Sequence, residues 1–205
     1  FLAIPAGIAA ALVVGCLNAI LITKLKISPF LATLGILFIG QSTQKIASGG
    51  GKPIYLATGE YPAIFDAIVR TQILGVPMPL IVMALCALAV YVIIHRSKLG
   101  RYIRALGAQP GVAWYSGVKV NKVTGLVYIL AAGLCGVTGI LLSSTVKSYV
   151  PLSGDGYLLD AIGATFIGTT ISSERRPSVV GTLMGVLLLA VTRNGLLLLG
   201  WNFYW

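Results

Sequence analysis

Long apolar blocks alternate with short polar turns along this chain, and four blocks hold no charged residue at all: residues 1–22, 27–44, 71–94 and 123–146. Each is close to the roughly 20 residues a helix needs to cross the hydrocarbon of a bilayer. A helix of a soluble domain keeps one polar face for water, so repeated uncharged runs exclude that class. The pattern predicts six membrane segments: A, 1–22; B, 29–45; C, 77–94; D, 123–146; E, 157–172; F, 179–200. Pro29 suits the first turn of segment B, where its missing N–H is no loss. Segment E is short, and its length fits a re-entrant or partly unwound element covered by protein or water. The predicted fold class is therefore all-α: a polytopic transmembrane bundle forming a single domain over residues 1–205.

Between the segments lie three connections of different character. Residues 48–76 are rich in Gly and Pro and carry Glu60 and Asp66. Residues 95–122 are basic. Residues 147–156 carry Pro151, Gly154, Asp155 and Gly156. Glu174, Arg175, Arg176 and Pro177 separate segments E and F. If segment A ends in the cytoplasm, the inner turns hold Lys24, Lys26, Arg96, Lys98, Arg101, Arg104, Lys119, Lys122, Arg175 and Arg176. The outer turns hold only Lys45, Lys52, Arg70 and Lys147. That bias follows the positive-inside rule through six crossings, makes 48–76 and 147–156 periplasmic, and puts the aromatic cluster 201–205 at the outer interface.

Composition agrees. Hydrophobic residues make up 57% and charged residues 10%, against about 25% charged in a soluble domain. The net charge of +10 does not point to nucleic acid, because the basic residues sit in separate turns rather than on one continuous face. Cys16, Cys86 and Cys135 each lie inside an apolar run without a CxxC, and read as small packing residues. Residues 1–22 lack the basic n-region and the cleavage site of a signal peptide. With Phe1 first and Trp205 last, the chain reads as a piece of a longer protein.

The connection 95–122 is the most informative polar stretch. Leu99, Tyr102, Ile103 and Leu106 recur at helical spacing, with Arg101 and Arg104 between them. Pro110 is expected to stop this helix and Gly117 to close a second short one. Two short amphipathic helices can dock a soluble partner. They can equally lie on anionic headgroups with their arginines snorkelling, and the residues alone do not choose.

Here the chain resembles a family. The runs 99–107 (LGRYIRALG), 115–118 (YSGV) and Asn121-Lys122 look like the cytoplasmic coupling segment of ribose-type sugar permeases, the membrane subunits of bacterial ABC importers. Residues 29–35 (PFLATLG), 156–162 (GYLLDAI) with Gly168, and 180–185 (VGTLMG) continuing to 194–196 (NGL) resemble the same family in the same order. The resemblance covers nearly the whole chain and implies a multi-pass protein of the inner membrane with about ten spans, so further spans are expected before and after this piece. It implies that Leu99, Gly100, Arg101, Arg104, Ala105, Gly107, Ser116 and Gly117 couple to separate cytoplasmic ATPase subunits, which would bind Mg-ATP. It also implies a periplasmic binding protein delivering sugar to the outer loops and a second permease subunit beside this one. The chain departs from the family's pattern at 169–177, where a glycine-rich loop is usual, at Arg193-Asn194-Gly195, where Asn-Asn-Gly is frequent, and at Gln109-Pro110, where an Asn is common.

Polar residues within the spans are the remaining chemistry. A charge at the centre of a span costs about 2.5–3.5 kcal/mol on insertion scales, so Arg193 should face protein or water. Asp160 is the carboxylate that can pair with it, either as a structural ion pair or as a gate. Asn18, Thr33, Gln41, Gln44 and Asn194 offer the neutral donors and acceptors a sugar needs; such residues also bond helix to helix. Asn18, Thr33, Gln41, Asp160, Arg193 and Asn194 are thus the candidate substrate path. Gly181 with Gly185, and Gly133, Gly136 and Gly139, read as close-packing faces and candidate dimer contacts.

Other classes find less support. The run 49–52 (GGGK) is not a P-loop, since Ile46 stands at the first glycine position and Pro53 at the hydroxyl position. Nucleotide binding by this chain is not expected. His95 has no partners at metal-ligand spacing, and no GxSxG or clustered catalytic set points to an enzyme. A self-contained secondary transporter would want a carboxylate or histidine relay within the spans, and only Asp160 offers one.

Overall fold

A computed structural model describes residues 3–55, 71–73, 75–146, 148–172 and 177–200. The chain divides into two compact units, Phe1–Pro151 and Leu152–Trp205.

In the first unit, α1 (Ala3–Thr23) and α2 (Pro29–Ala47) are followed by α3 (Met78–Arg96), the short helices α4 (Lys98–Ala108) and α5 (Pro110–Tyr115), and the long α6 (Val120–Val146). The helix boundaries follow local chemistry. Pro29 starts α2. The run 49–52 ends it: Gly49 and Gly50 adopt φ of 62° and 95°, and their N–H groups donate to the carbonyls of Ile46 and Lys45. The glycines that mimic a phosphate loop therefore spend their amides on capping a helix.

α1 and α6 pack antiparallel. A Cβ added to Gly15 would lie 2.5 Å from Ala132 Cβ, and one added to Gly136 would lie 2.9 Å from Ala11 Cβ. The two backbones come this close because a side chain is missing on one side of each contact. Small residues fill the interior: Ala19, Ala32, Ala113 and Val123 are buried. Large apolar side chains point outward, Phe30 at 71% exposure and Ile46 at 81%. In water such a surface would aggregate; in lipid, close packing of small residues holds the helices together and the large side chains face acyl chains.

Two-residue strands join the turns. β1 (Ile54–Tyr55) pairs antiparallel with β4 (Ser148–Tyr149), and β2 (Gln72–Ile73) pairs with β3 (Val76–Pro77). The β1–β4 pair joins residues 54–55 of one connection to residues 148–149 of another.

The second unit is a helical hairpin of α7 (Asp155–Ile171) and α8 (Val179–Leu198). Gly168 lies against Gly181, and a Cβ there would come within 2.5 Å of the Gly181 carbonyl carbon; Gly185 lies against the Ala164 carbonyl. The spacing 164, 168 on one helix meets 181, 185 on the other. Both glycine stripes read as candidate dimer faces thus contain residues packed within the chain: Gly181 and Gly185 on α7, Gly133 and Gly136 on α1.

Among the described residues four helices are long and apolar enough to cross a bilayer: α1, α3, α6 and α8. All six predicted segments are helical, but α2 and α7 fall outside this set. α2 carries Gln41, Ser42, Thr43, Gln44 and Lys45 in its last two turns, which dilute its apolar character. α7 has 17 residues and so reaches only about 26 Å at 1.5 Å per residue. It is unbroken, so the partly unwound form of segment E is not what the structure has. Glu60, Asp66, Arg70, Lys147, residues 173–176 and the aromatic cluster 201–205 lie outside the described residues.

Candidate functional site

Two places collect the chemistry. The first is the α4–α5 elbow. Ser97 caps α4: its hydroxyl accepts from Gly100 N–H at 3.1 Å and donates to the Ile93 carbonyl at 2.5 Å. One side chain thereby ties the end of α3 to the start of α4. Gly100 is buried, and a Cβ on it would collide with the Ile94 carbonyl oxygen. The sharp turn between the helices requires glycine here.

α4 is strongly amphipathic. Leu99, Ile103 and Leu106 are half-buried, while Arg101, Arg104, Ala105 and Gly107 are exposed. Pro110 opens α5 and Gly117 closes its turn at φ 80°, as predicted. Ala113 is buried and anchors α5. The Ser116 hydroxyl donates to the Val112 carbonyl at 2.9 Å. Of the eight predicted coupling residues, Gly100 shapes the turn, Leu99 packs inward, and Arg101, Arg104, Ala105, Gly107, Ser116 and Gly117 stand on the surface.

Sequence reasoning missed two residues of this surface. Trp114 and Tyr115 are exposed and meet edge-to-face with centroids 5.1 Å apart. The structure turns both rings outward because Ala113 occupies the inner side of this six-residue helix.

The second place is the end of the α7–α8 hairpin. Arg193 Nη1 donates to Asp160 Oδ2 at 3.0 Å, with both side chains about half exposed. Asp160 lies one helical turn before Ala164 and Arg193 two turns beyond Gly185, so the glycine seam sets the approach that lets them meet. A groove of about 540 Å³ opens beside the pair, lined among others by Tyr157, Ala161, Leu189 and Asn194. It offers a carboxylate, a guanidinium, an amide and an aromatic ring, a set that can hold a polar uncharged solute.

The other candidate path residues belong to the first unit. Thr33 Oγ donates to the Pro29 carbonyl at 2.9 Å within its own helix. Gln41 is half-buried on α2. Asn18 on α1 has a buried Oδ1 with no hydrogen-bond partner among the described residues. The structure therefore brings Asp160, Arg193 and Asn194 together in one groove and places Asn18, Thr33 and Gln41 on α1 and α2. Among the described residues no group of three His, Cys, Asp or Glu side chains could hold a metal ion.

Residues 1–205 match the family model described as branched-chain amino acid transport system / permease component. The ribose import permease protein RbsC of Bacillus subtilis (strain 168) is 37% identical over 183 residues, covering 89% of this chain and 56% of that protein. The protein of the same name from Escherichia coli (strain K12) is 33% identical over 203 residues, covering 99% and 63%. The autoinducer 2 import system permease protein LsrD of Escherichia coli O9:H4 (strain HS) is 31% identical over 187 residues, covering 91% and 57%. The chain thus spans about 56–63% of the length of these relatives. No solved structure matches it.

Proposed function

The chain belongs to the branched-chain amino acid transport system permease family, and on that premise we propose that it is the membrane-embedded part of an ABC importer that moves a monosaccharide, a pentose or hexose, into the cell. It is a multi-pass protein of the inner membrane. The observation that carries the proposal is the α4–α5 elbow, a capped pair of short helices presenting Arg101, Arg104 and Tyr115 beside the ends of the spans. It fits a cleft in a soluble ATPase. Closure of two ATPase subunits on Mg-ATP would push on the elbow and rock the spans, a rigid-body mode of switching. This chain supplies the path and the lever and binds no nucleotide itself. A periplasmic binding protein would dock on the outer loops 48–76 and 147–156, and a second permease subunit would complete the path.

The Asp160–Arg193 groove suits a neutral polyol, since sugar hydroxyls both donate and accept. The likeness to an autoinducer 2 import permease supports a second reading for cargo, a sugar-like signalling molecule; nucleosides and amino acids are the further alternatives within the superfamily. The test is co-purification with the ATPase and binding protein encoded beside it, followed by ATPase assay in proteoliposomes. Stimulation by a binding protein loaded with one sugar supports the reading. Uptake driven by a proton gradient without any ATPase overturns it.

A further inference from the structure

Positive charge is concentrated at one end of the α1–α6 pair, next to the elbow. Lys24 and Lys26 follow the C-terminal end of α1, while Lys119 and Lys122 flank the start of α6. The helices are antiparallel, with the Thr23 side chain close to Gly125, so all four lysines lie at the same end. All four are exposed. No Asp or Glu occurs in residues 1–59 or 67–154, and none of the four lysines forms an ion pair among the described residues.

Two further observations bear on what this charge meets. A groove of about 340 Å³ opens here, lined by Trp114, Gly117, Val118, Lys119, Asn121 and Lys122. Apolar side chains are interleaved with the ammonium groups: Leu25, between Lys24 and Lys26, is 62% exposed, and Trp114 63%. A surface bathed in water gains nothing from such mixing. At the headgroup level of a bilayer it places apolar bodies among acyl chains, the indole at the interface and the lysine ends among phosphates.

We propose that this groove holds the phosphate of an anionic phospholipid. Lys119 and Lys122 donate to the phosphodiester oxygens, Trp114 lies along the glycerol backbone, and Lys24 with Lys26 strengthens the local field. The ligand chemistry is a phosphate monoester or diester. The lipid, rather than a free phosphate, is the occupant because the groove opens at the end of two apolar helices and is flanked by exposed apolar side chains. A lipid seated there would touch the turn from α5 into α6 and so bear on the elbow.

The experiment is native mass spectrometry of the purified protein, titrated in neutral detergent with phosphatidylglycerol or phosphatidylcholine. Phosphatidylglycerol is expected to be retained preferentially. Lys119→Gln with Lys122→Gln should lower its retention roughly tenfold to thirtyfold, at about fivefold per lysine. Lys119→Arg with Lys122→Arg keeps the charge and should keep the lipid, which separates binding from folding. Lys45→Gln with Lys52→Gln, near the β1 end of the unit, should change nothing. Equal retention of the two lipids, unchanged binding by the Gln pair, or equal loss in the Lys45 and Lys52 control overturns the proposal. So does displacement of the lipid by excess inorganic phosphate, which would make this a site for a soluble anion.

Discussion

At Gly100 the first turn of α4 rests directly on the carbonyl of Ile94, so the smallest side chain is one too many. Gly100→Ala should displace α4, at a strain of about 1–3 kcal/mol. Co-purification with the ATPase should fall several-fold while the amount of inserted protein stays constant, both read by quantitative blotting. Arg193 and Asp160 make the complementary case. Arg193→Leu strands a carboxylate at the α7–α8 end, and inserted protein should fall several-fold. Exchanging the two residues, Asp160→Arg with Arg193→Asp, should restore it. Normal insertion of Arg193→Leu with transport lost would instead make the pair a gate. The ion pair was legible in the sequence because a charge in an apolar span needs a partner and only one carboxylate was within the neighbouring span. Trp114 and Tyr115 were not, because aromatic rings in a short helix read alike whether they face in or out. Asn18, Thr33 and Gln41 carry no such constraint, and their residue types alone could not assemble them with Asp160.

Among the elements, the α7–α8 hairpin depends on a seam of small residues. Gly185→Leu would drive a side chain into the Ala164 backbone and part the helices. The melting temperature in detergent should drop clearly, whereas Gly139→Leu, with nothing within 4 Å of its added Cβ, should leave it nearly unchanged. Helix ends were readable from single residues: Pro29, Pro110 and Gly117 each act on the few backbone groups beside them. The two-residue strands were not, since a pair that short has no period to detect. α2 and α7 show where length and hydropathy lose their force. A helix of 17 residues, or one with a polar last turn, can be recognised as a helix, but its depth in the bilayer depends on neighbours that the sequence does not number.

For the molecule as a whole, topology was the inference with the longest reach, because charge bias acts on every turn at once. The β1–β4 pair offers a check that needs no membrane. Ile54 opposes Tyr149, and opposed residues of antiparallel strands lie about 4.5–5.5 Å apart at Cα, inside the range a disulfide spans. Ile54→Cys with Tyr149→Cys, in a chain whose three native cysteines are replaced by serine, should cross-link under mild oxidation. The central claim is that the elbow faces the cell interior, where an ATPase can grip it. The most direct measurement places single cysteines at Arg101 and Gly107 in the same cysteine-free background and labels them with a membrane-impermeant maleimide. Labelling in inverted vesicles and none in intact cells is the expected result; labelling from outside intact cells would contradict the orientation and remove the ATPase from reach.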